Sequence, residues 1–349
     1  MIGLAIAVAA LYYTLRNVSL AELAASLKEA ELVYILPGIV VMALSYVTRA
    51  YRWQILLRPF KQIPVKEIYS PLMIGFMGNV LPARAGEFLR AYLVAKKQGV
   101  TFSGAFSTVI VERLFDLICL LGLFVWVFVL HAEMFDPNLT VSGISVQTMA
   151  VGFGRICSIL ALGLLAFMFM LAWQEAKVRS WVSWWVRILP EKWQEKILFM
   201  VGEFALGCQI IKDKGALAQI ILFSVLTWLL IALSYYPFYF AFDLQDKTLG
   251  SVLLLTVMVC ILITALPTPA FLGSYNAGVM IALHEIMGEA EVTAVSFGMM
   301  VWAISFLVIF AGGFYFILSD HMSVSSLMKA EEEAESALEQ AEHSPKGEG

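Results

Sequence analysis

Charge is scarce in this chain. Only 14% of its 349 residues are Asp, Glu, Lys or Arg, where a soluble protein carries about 25%. A globular core with so little charged surface would not stay dissolved in water, which excludes an ordinary cytosolic enzyme and a nucleic-acid binder. Cysteine is also sparse. Cys119, Cys157, Cys208 and Cys260 stand alone, with neither the density of a secreted disulfide scaffold nor metal or redox spacing, so packing is their expected use. The four histidines are scattered too; no metal and no other cofactor is expected. A glycine-rich loop ending in Lys-Ser or Lys-Thr, which would cradle nucleotide phosphates, is lacking as well.

What the sequence has is hydrocarbon. Hydrophobic residues make up 60% of it and the mean hydropathy is +0.83, so the chain must dissolve in lipid. A spanning helix needs about 20 mostly apolar residues. Candidate spans are 1–15, 32–57, 101–130, 149–173, 216–242 and 292–318. The first lacks the basic start and small-residue cleavage site of a signal peptide, so it reads as a helix. Basic residues concentrate in the connections on one side. The 174–215 connection alone holds Lys177, Arg179, Arg187, Lys192, Lys196, Lys212 and Lys214, whereas 131–148 holds none. Both termini are therefore expected in the cytoplasm.

The net charge of −4 is unevenly spread. Residues 319–349 carry eight acids against Lys329 and Lys346, so the rest of the chain is slightly basic. The chain divides into a membrane domain over 1–318 and an acidic tail over 319–349, expected to be largely disordered. At 176–189, Val178, Trp181, Val182, Trp185, Ile188 and Leu189 recur at helical spacing opposite Lys177, Arg179 and Arg187. That is an amphipathic helix for the cytoplasmic interface, serving as an anchor or as a docking or gating element.

Two further apolar stretches, 67–95 and 248–290, are too long for one span and are broken by proline. Leu81-Pro82 is followed by Gly86, and Leu266-Pro267 by Pro269 and Gly273. Proline ends a helix, and glycine lets the chain reverse tightly. Each stretch is a re-entrant hairpin or two full crossings, and the two open from opposite sides. Unwound backbone is tolerated in a bilayer only against protein or a watery cavity, and such pairs mark inverted-repeat transporters. Proline and glycine are also common in ordinary membrane helices, so the residues around the breaks must decide.

Those residues are charged. Arg84, Glu87 and Arg90 follow Pro82 at spacings of three, and Glu112, Arg113 and Asp116 lie inside the 101–130 span. Each charge at mid-bilayer costs on the order of 2.5–3.5 kcal/mol, so the six must pair or meet water. Three bases and three acids allow a neutral set, for example Arg84 or Arg90 with Glu112 or Asp116, and Arg113 with Glu87. A purely structural network is the competing reading, but apolar replacements of a buried pair are often no less stable. Asn79, Tyr275 and Asn276 can serve freed backbone groups or a ligand equally. Arg49 and Arg52, on one face near the end of the second span, are expected to snorkel to cytoplasmic phosphates.

At NVLPARAGEFLRA, VERLFDL and ALPTPAFLGSYNAG the chain resembles the lysylphosphatidylglycerol synthase transmembrane-region, or flippase-like, family. The likeness covers roughly residues 1–318 and includes Tyr51-Arg52-Trp53 with Leu56-Leu57. It implies a multi-pass protein of a bacterial or archaeal inner membrane, associated with moving lipids across the bilayer. In bifunctional members a soluble domain makes the aminoacyl lipid; only about 30 residues follow the last span here, so lysyl transfer is not expected. The sequence around Pro267, Pro269 and Phe271 is bulkier than the family's usual glycine-rich version, which implies a stiffer second hairpin.

The fold expected is thus all-α and polytopic, with about six full spans, two proline-broken hairpins of opposite sense and an interfacial helix. The function expected is lipid translocation past Asn79, Pro82, Arg84, Gly86, Glu87, Arg90, Glu112, Arg113 and Asp116, with Pro267, Pro269, Gly273, Tyr275 and Asn276 as the opposing gate. The alternatives are a membrane partner delivering lipid to a glycosyltransferase or lipid-modifying enzyme, and an intramembrane lipid transferase. The last lacks an activated nucleophile.

Overall fold

The computed structural model of the chain describes residues 2–79, 86–130, 140–141, 144–187, 189–266 and 268–320. Pro82, Arg84, Pro267 and the tail beyond residue 320 lie outside the described residues. The helices run, in order, α1 (Ile2–Leu15), α2 (Leu20–Glu29), α3 (Ile35–Leu57), α4 (Val65–Gly78) and α5 (Gly86–Gln98). Next come α6 (Phe102–Val125), α7 (Val146–Trp173), α8 (Glu175–Val186), α9 (Glu191–Cys208) and α10 (Lys214–Leu233). Last are α11 (Tyr236–Ala241), α12 (Leu249–Ala265), α13 (Ser274–Met280) and α14 (Glu291–Ser319). The sole strands among the described residues are Thr140–Val141 and Ile144–Ser145, paired antiparallel.

Among the described residues, five segments are long and apolar enough to cross a bilayer: Leu32–Leu57, Phe102–Leu130, Val151–Met170, Lys214–Ala241 and Glu291–Ser319. They correspond to five of the six expected spans. The sixth becomes α1, whose 14 residues reach only about 21 Å, short of a hydrocarbon core of about 30 Å. Several helices begin where the sequence supplies a cap. Thr101 accepts from the Gly104 N–H at α6, Asp213 from Gly215 and Ala216 at α10, and Thr248 from Ser251 at α12.

Among the described residues the bundle has two large apolar cores and a small third one around Ile74, Leu89, Leu93 and Ile317. One large core joins the end of α6 to α11, α12, α13 and α14 around Phe238, Tyr239 and Phe297. The other joins α3, α4, α5, α6, α9 and α10 around Trp53, Leu56 and Val109. α3 lies along α10, and Thr48 Oγ1 meets Thr227 Oγ1 at 2.8 Å across that seam. Thr48 also donates to the Ser45 carbonyl, so it would not be stranded if its neighbour were lost. Thr227→Val is therefore expected to lower stability by only about 0.6–1.5 kcal/mol, read as a small drop in thermal unfolding temperature in detergent.

Both broken stretches fold back on themselves: α4 packs on α5, and α12 on α13. With 14, 13 and 17 residues, α4, α5 and α12 are about 21, 20 and 26 Å long. Glycines permit the approach. A β-carbon on Gly278 would stand 2.7 Å from Val259 Cα, and one on Gly75 2.7 Å from the Gly86 carbonyl oxygen. Gly86, expected as the residue that reverses the chain, instead makes room: its β-carbon would fall 1.9 Å from the Gly75 carbonyl oxygen. Gly273, by contrast, stands at a turn with a positive φ of 86°.

The interfacial helix forms as α8, but its apolar residues divide. Val178 is buried in the second core, whereas Trp181, Trp184 and Trp185 are each more than half exposed and pack edge to face on one another. The protein takes the narrow valine edge of α8, so the indoles remain outward, where an interface would meet them.

Candidate functional site

Glu112 and Asp116 are one turn apart on α6, about 15 and 21 Å from its first residue, inside a 29-residue apolar segment. Glu112, whose side chain is 0% exposed, accepts from two arginines of different helices. Arg52 Nη2 reaches its Oε1 at 3.0 Å, and Arg90 Nη1 reaches its Oε2 at 3.0 Å. Asp116 Oδ1 accepts from Arg52 Nη1 at 2.7 Å and its Oδ2 from Arg113 Nη1 at 3.3 Å. Arg49 Nη1 stands 3.8 Å from the same Oδ2. Arg113 Nε pairs with Glu87 Oε1 at 2.6 Å. The expected pairs Arg90–Glu112 and Arg113–Glu87 are thus present; Arg84 lies outside the described residues.

Two assignments need correcting. Arg52 does not snorkel: its side chain is 0% exposed and bridges both α6 carboxylates. Arg49 turns inward with it, stacked 5.2 Å from the Phe76 ring. The reason is packing. The Thr48–Thr227 contact and the Arg52–Ser224 hydrogen bond at 3.2 Å hold α3 on α10, and that rotation aims Arg49 and Arg52 at α6. The cluster is consequently not neutral. Among the described residues, Arg49, Arg52, Arg90 and Arg113 face Glu87, Glu112 and Asp116, leaving one positive charge in excess.

Arg90 is held by the first hairpin. The missing β-carbons of Gly75 and Gly86 let α5 sink against α4, with Arg90 Cβ at 2.7 Å from where a Gly75 β-carbon would stand. Its guanidinium lies 4.9 Å from the Trp53 ring, and Trp53 is itself fixed by an Nε1–H bond to Thr108 at 2.9 Å. Yet only Nη1 of Arg90 has a hydrogen-bond partner. Its Nε and Nη2 are buried without one among the described residues, as are Arg49 Nη1 and Arg52 Nε, while Asn79 Oδ1 is a buried acceptor without a donor. A buried N–H without an acceptor costs about 1–3 kcal/mol, and more on a charged group. Open donors of this kind call for an anion.

The second broken segment is built differently. Ala270 and Phe271 adopt positive φ, 51° and 59°, a conformation that costs an L-residue about 1–2 kcal/mol. Trp302 Nε1 donates to the Ala270 carbonyl at 2.9 Å, and Thr268 and Ser274 hydroxyls meet at 2.8 Å. Gly273 packs against α1 near the Ala7 carbonyl. Pro269 opens the short turn over 269–271. Tyr275 is part of the first apolar core, and the buried Asn276 amide lies against Gly298. Among the described residues no hydrogen bond or ion pair joins this segment to the arginine cluster.

The lysylphosphatidylglycerol synthase TM region is a family whose model matches residues 1–313, which takes in both broken segments and all seven charges of the cluster. The chain belongs to that family. It is 24% identical to Glycosyltransferase AglD of Haloferax volcanii over an alignment covering 95% of this chain and 56% of that protein. The chain thus spans about half the length of that relative. It is 23% identical to a UPF0104 membrane protein of Methanothermobacter thermautotrophicus, with 84% of this chain and 87% of that protein covered. No solved structure matches the chain.

In this family member, sequence reasoning missed Arg49, Arg52, Ser224 and Trp53 as parts of the cluster. One signal was available. Glu112 and Asp116 present two carboxylates on one face of a span, and cations from another helix at matching spacing must neutralise them. Arg49 and Arg52, three residues apart inside an apolar helix, have that spacing.

Proposed function

We propose that this membrane protein is a lipid translocase, carrying a phosphate-bearing lipid headgroup through the bilayer past the arginine cluster. The carrying observation is Arg90, 2% exposed, with Nε and Nη2 unpartnered among the described residues. Arginine offers a planar fork matched to phosphate oxygens, and the excess positive charge favours an anion. A phosphate arriving there exchanges hydrogen bonds with the cluster instead of losing its water into hydrocarbon. The first hairpin, its arms shorter than the bilayer core, supplies re-entrant access from the cytoplasmic side, and the strained turn at 269–271 is the opposing gate. The chain lies in the cytoplasmic membrane of a bacterium or archaeon with both termini inside. Transport runs downhill or on an ion gradient, since no nucleotide-binding loop is present in the sequence.

A second reading has one observation in its favour: a relative that covers this chain almost throughout is named a glycosyltransferase. On that reading the membrane bundle presents lipid to a partner enzyme. Reconstitution into liposomes with a fluorescent phospholipid separates the two. Wild type should expose inner-leaflet lipid to dithionite, and Arg90→Met, which keeps the apolar contact with Trp53, should abolish that exposure, while Arg90→Lys, a point charge without the fork, retains part of it. An undiminished rate in Arg90→Met would overturn the assignment. Exposure that appears only after a lipid-modifying partner is added would favour the second reading.

A further inference from the structure

An apolar crevice of about 250 Å³ lies between α6, α7 and α10. Phe115 and Cys119 of α6, Met168 of α7 and Ile221 and Val225 of α10 line it, and Ser224 is its one hydroxyl. Two features set it apart from the rest of the lipid-facing surface. Its rim is open: Ile221 is 48% and Val225 55% exposed. Its floor is buried and backed by charge: Ser224, 1% exposed, shows the crevice only apolar surface and accepts from Arg52 Nη1 at 3.2 Å. The crevice therefore runs from the outer face of the bundle to within one hydroxyl of the arginine cluster. On α6 the two regions interlock, because Phe115 and Cys119 flank Asp116.

Water has almost nothing to bond to on such walls. An apolar cavity of about 150 Å³ already stays dry and takes up a benzene-sized guest. Between membrane-spanning helices the available guest is hydrocarbon. We propose that this crevice is an acyl-chain slot, seating one chain of the lipid whose phosphate engages Arg90. The proposal rests on the reading of the cluster as a headgroup site. It adds the register between head and tail: the chain enters beside Val225 and lies against Ser224, one buried hydroxyl away from the arginine cluster. A tail already in hydrocarbon gains packing rather than hydrophobic free energy on entering the slot, so what the slot adds is a fixed place for one chain relative to the arginine cluster.

The test uses the full chain in phosphatidylcholine liposomes containing phosphatidylglycerol with a diazirine in one acyl chain. After illumination, labelled peptides are mapped. The slot predicts label concentrated at 115–119 and 221–225, several-fold above the face of α7 carrying Ile156, Ile159 and Leu162, which is equally exposed. Val225→Trp should fill the slot and remove that label while the α7 face keeps its own. Label spread evenly over both faces in wild type, or slot label untouched by Val225→Trp, overturns the slot. The two readings fail separately. Slot label with no lipid movement in wild type would overturn translocation alone, whereas even label with normal movement would overturn the slot alone.

Discussion

Replacing Glu112 by alanine is expected to destabilise the protein by about 3–5 kcal/mol, a large part of the roughly 5–15 kcal/mol that holds a typical fold together. Glu112 is the shared acceptor of Arg52 and Arg90, and all three side chains are buried. Arg52 would keep Asp116, but Arg90 would keep no carboxylate partner among the described residues. An unpaired guanidinium in a dry interior is what makes breaking a buried pair so much worse than removing both partners. Arg90→Met in the Glu112→Ala background should therefore recover much of the loss, a sign opposite to simple addition of two defects. Thermal unfolding of the four proteins in detergent reads this directly. If Glu112→Ala unfolds at the wild-type temperature, the cluster is hydrated and its burial does not govern its energetics.

Gly86→Ala should be nearly as damaging, for a different reason. The added β-carbon would lie 1.9 Å from the Gly75 carbonyl oxygen and 2.6 Å from the Asn79 nitrogen. Both obstacles are backbone, so no side-chain rotation relieves them, and α4 and α5 must part. A cost of about 3 kcal/mol or more follows, at the upper end for overpacking. Arg90, one turn along the same helix, would move away from Glu112, so lipid movement should fall along with stability. Gly122 is the control. Its β-carbon would meet nothing within 4 Å, so Gly122→Ala, in the last turn of α6 where the helical chain runs on to Leu130, should be neutral or stabilising by up to about 1 kcal/mol. Equal effects at the two positions would mean that helix propensity, rather than the α4–α5 approach, sets the outcome.

The excess positive charge changes how the site is understood. A balanced cage needs no ligand, and its charges only have to satisfy one another. With Arg49 and Arg52 present, the cluster holds more positive charge than its three carboxylates balance, and donors on Arg49, Arg52 and Arg90 are left open among the described residues. An anion completes such a set, and a lipid phosphate is one that can arrive sideways from the bilayer.

The spans, the two proline breaks and the need for the α6 charges to be paired were legible in the amino-acid order, because each depends on contiguous residues. Hydrophobic length, a proline's missing donor and the cost of a bare charge are local quantities. The pairs Arg113–Glu87 and Arg90–Glu112 were also within reach, since the hairpin and α6 follow one another closely. The role of Arg52 was not. Five residues from the end of α3, it is near enough to headgroups to snorkel, and its partners lie 60 and 64 residues away. Only the rotation of α3 about its own axis chooses between phosphate and carboxylate, and that rotation is set by contacts with α10. Sequence order determined that buried charges exist and where the helices break. Tertiary packing decided which charges meet, and hence the sign of the site, because the faces that two distant helices present to each other depend on every side chain between them.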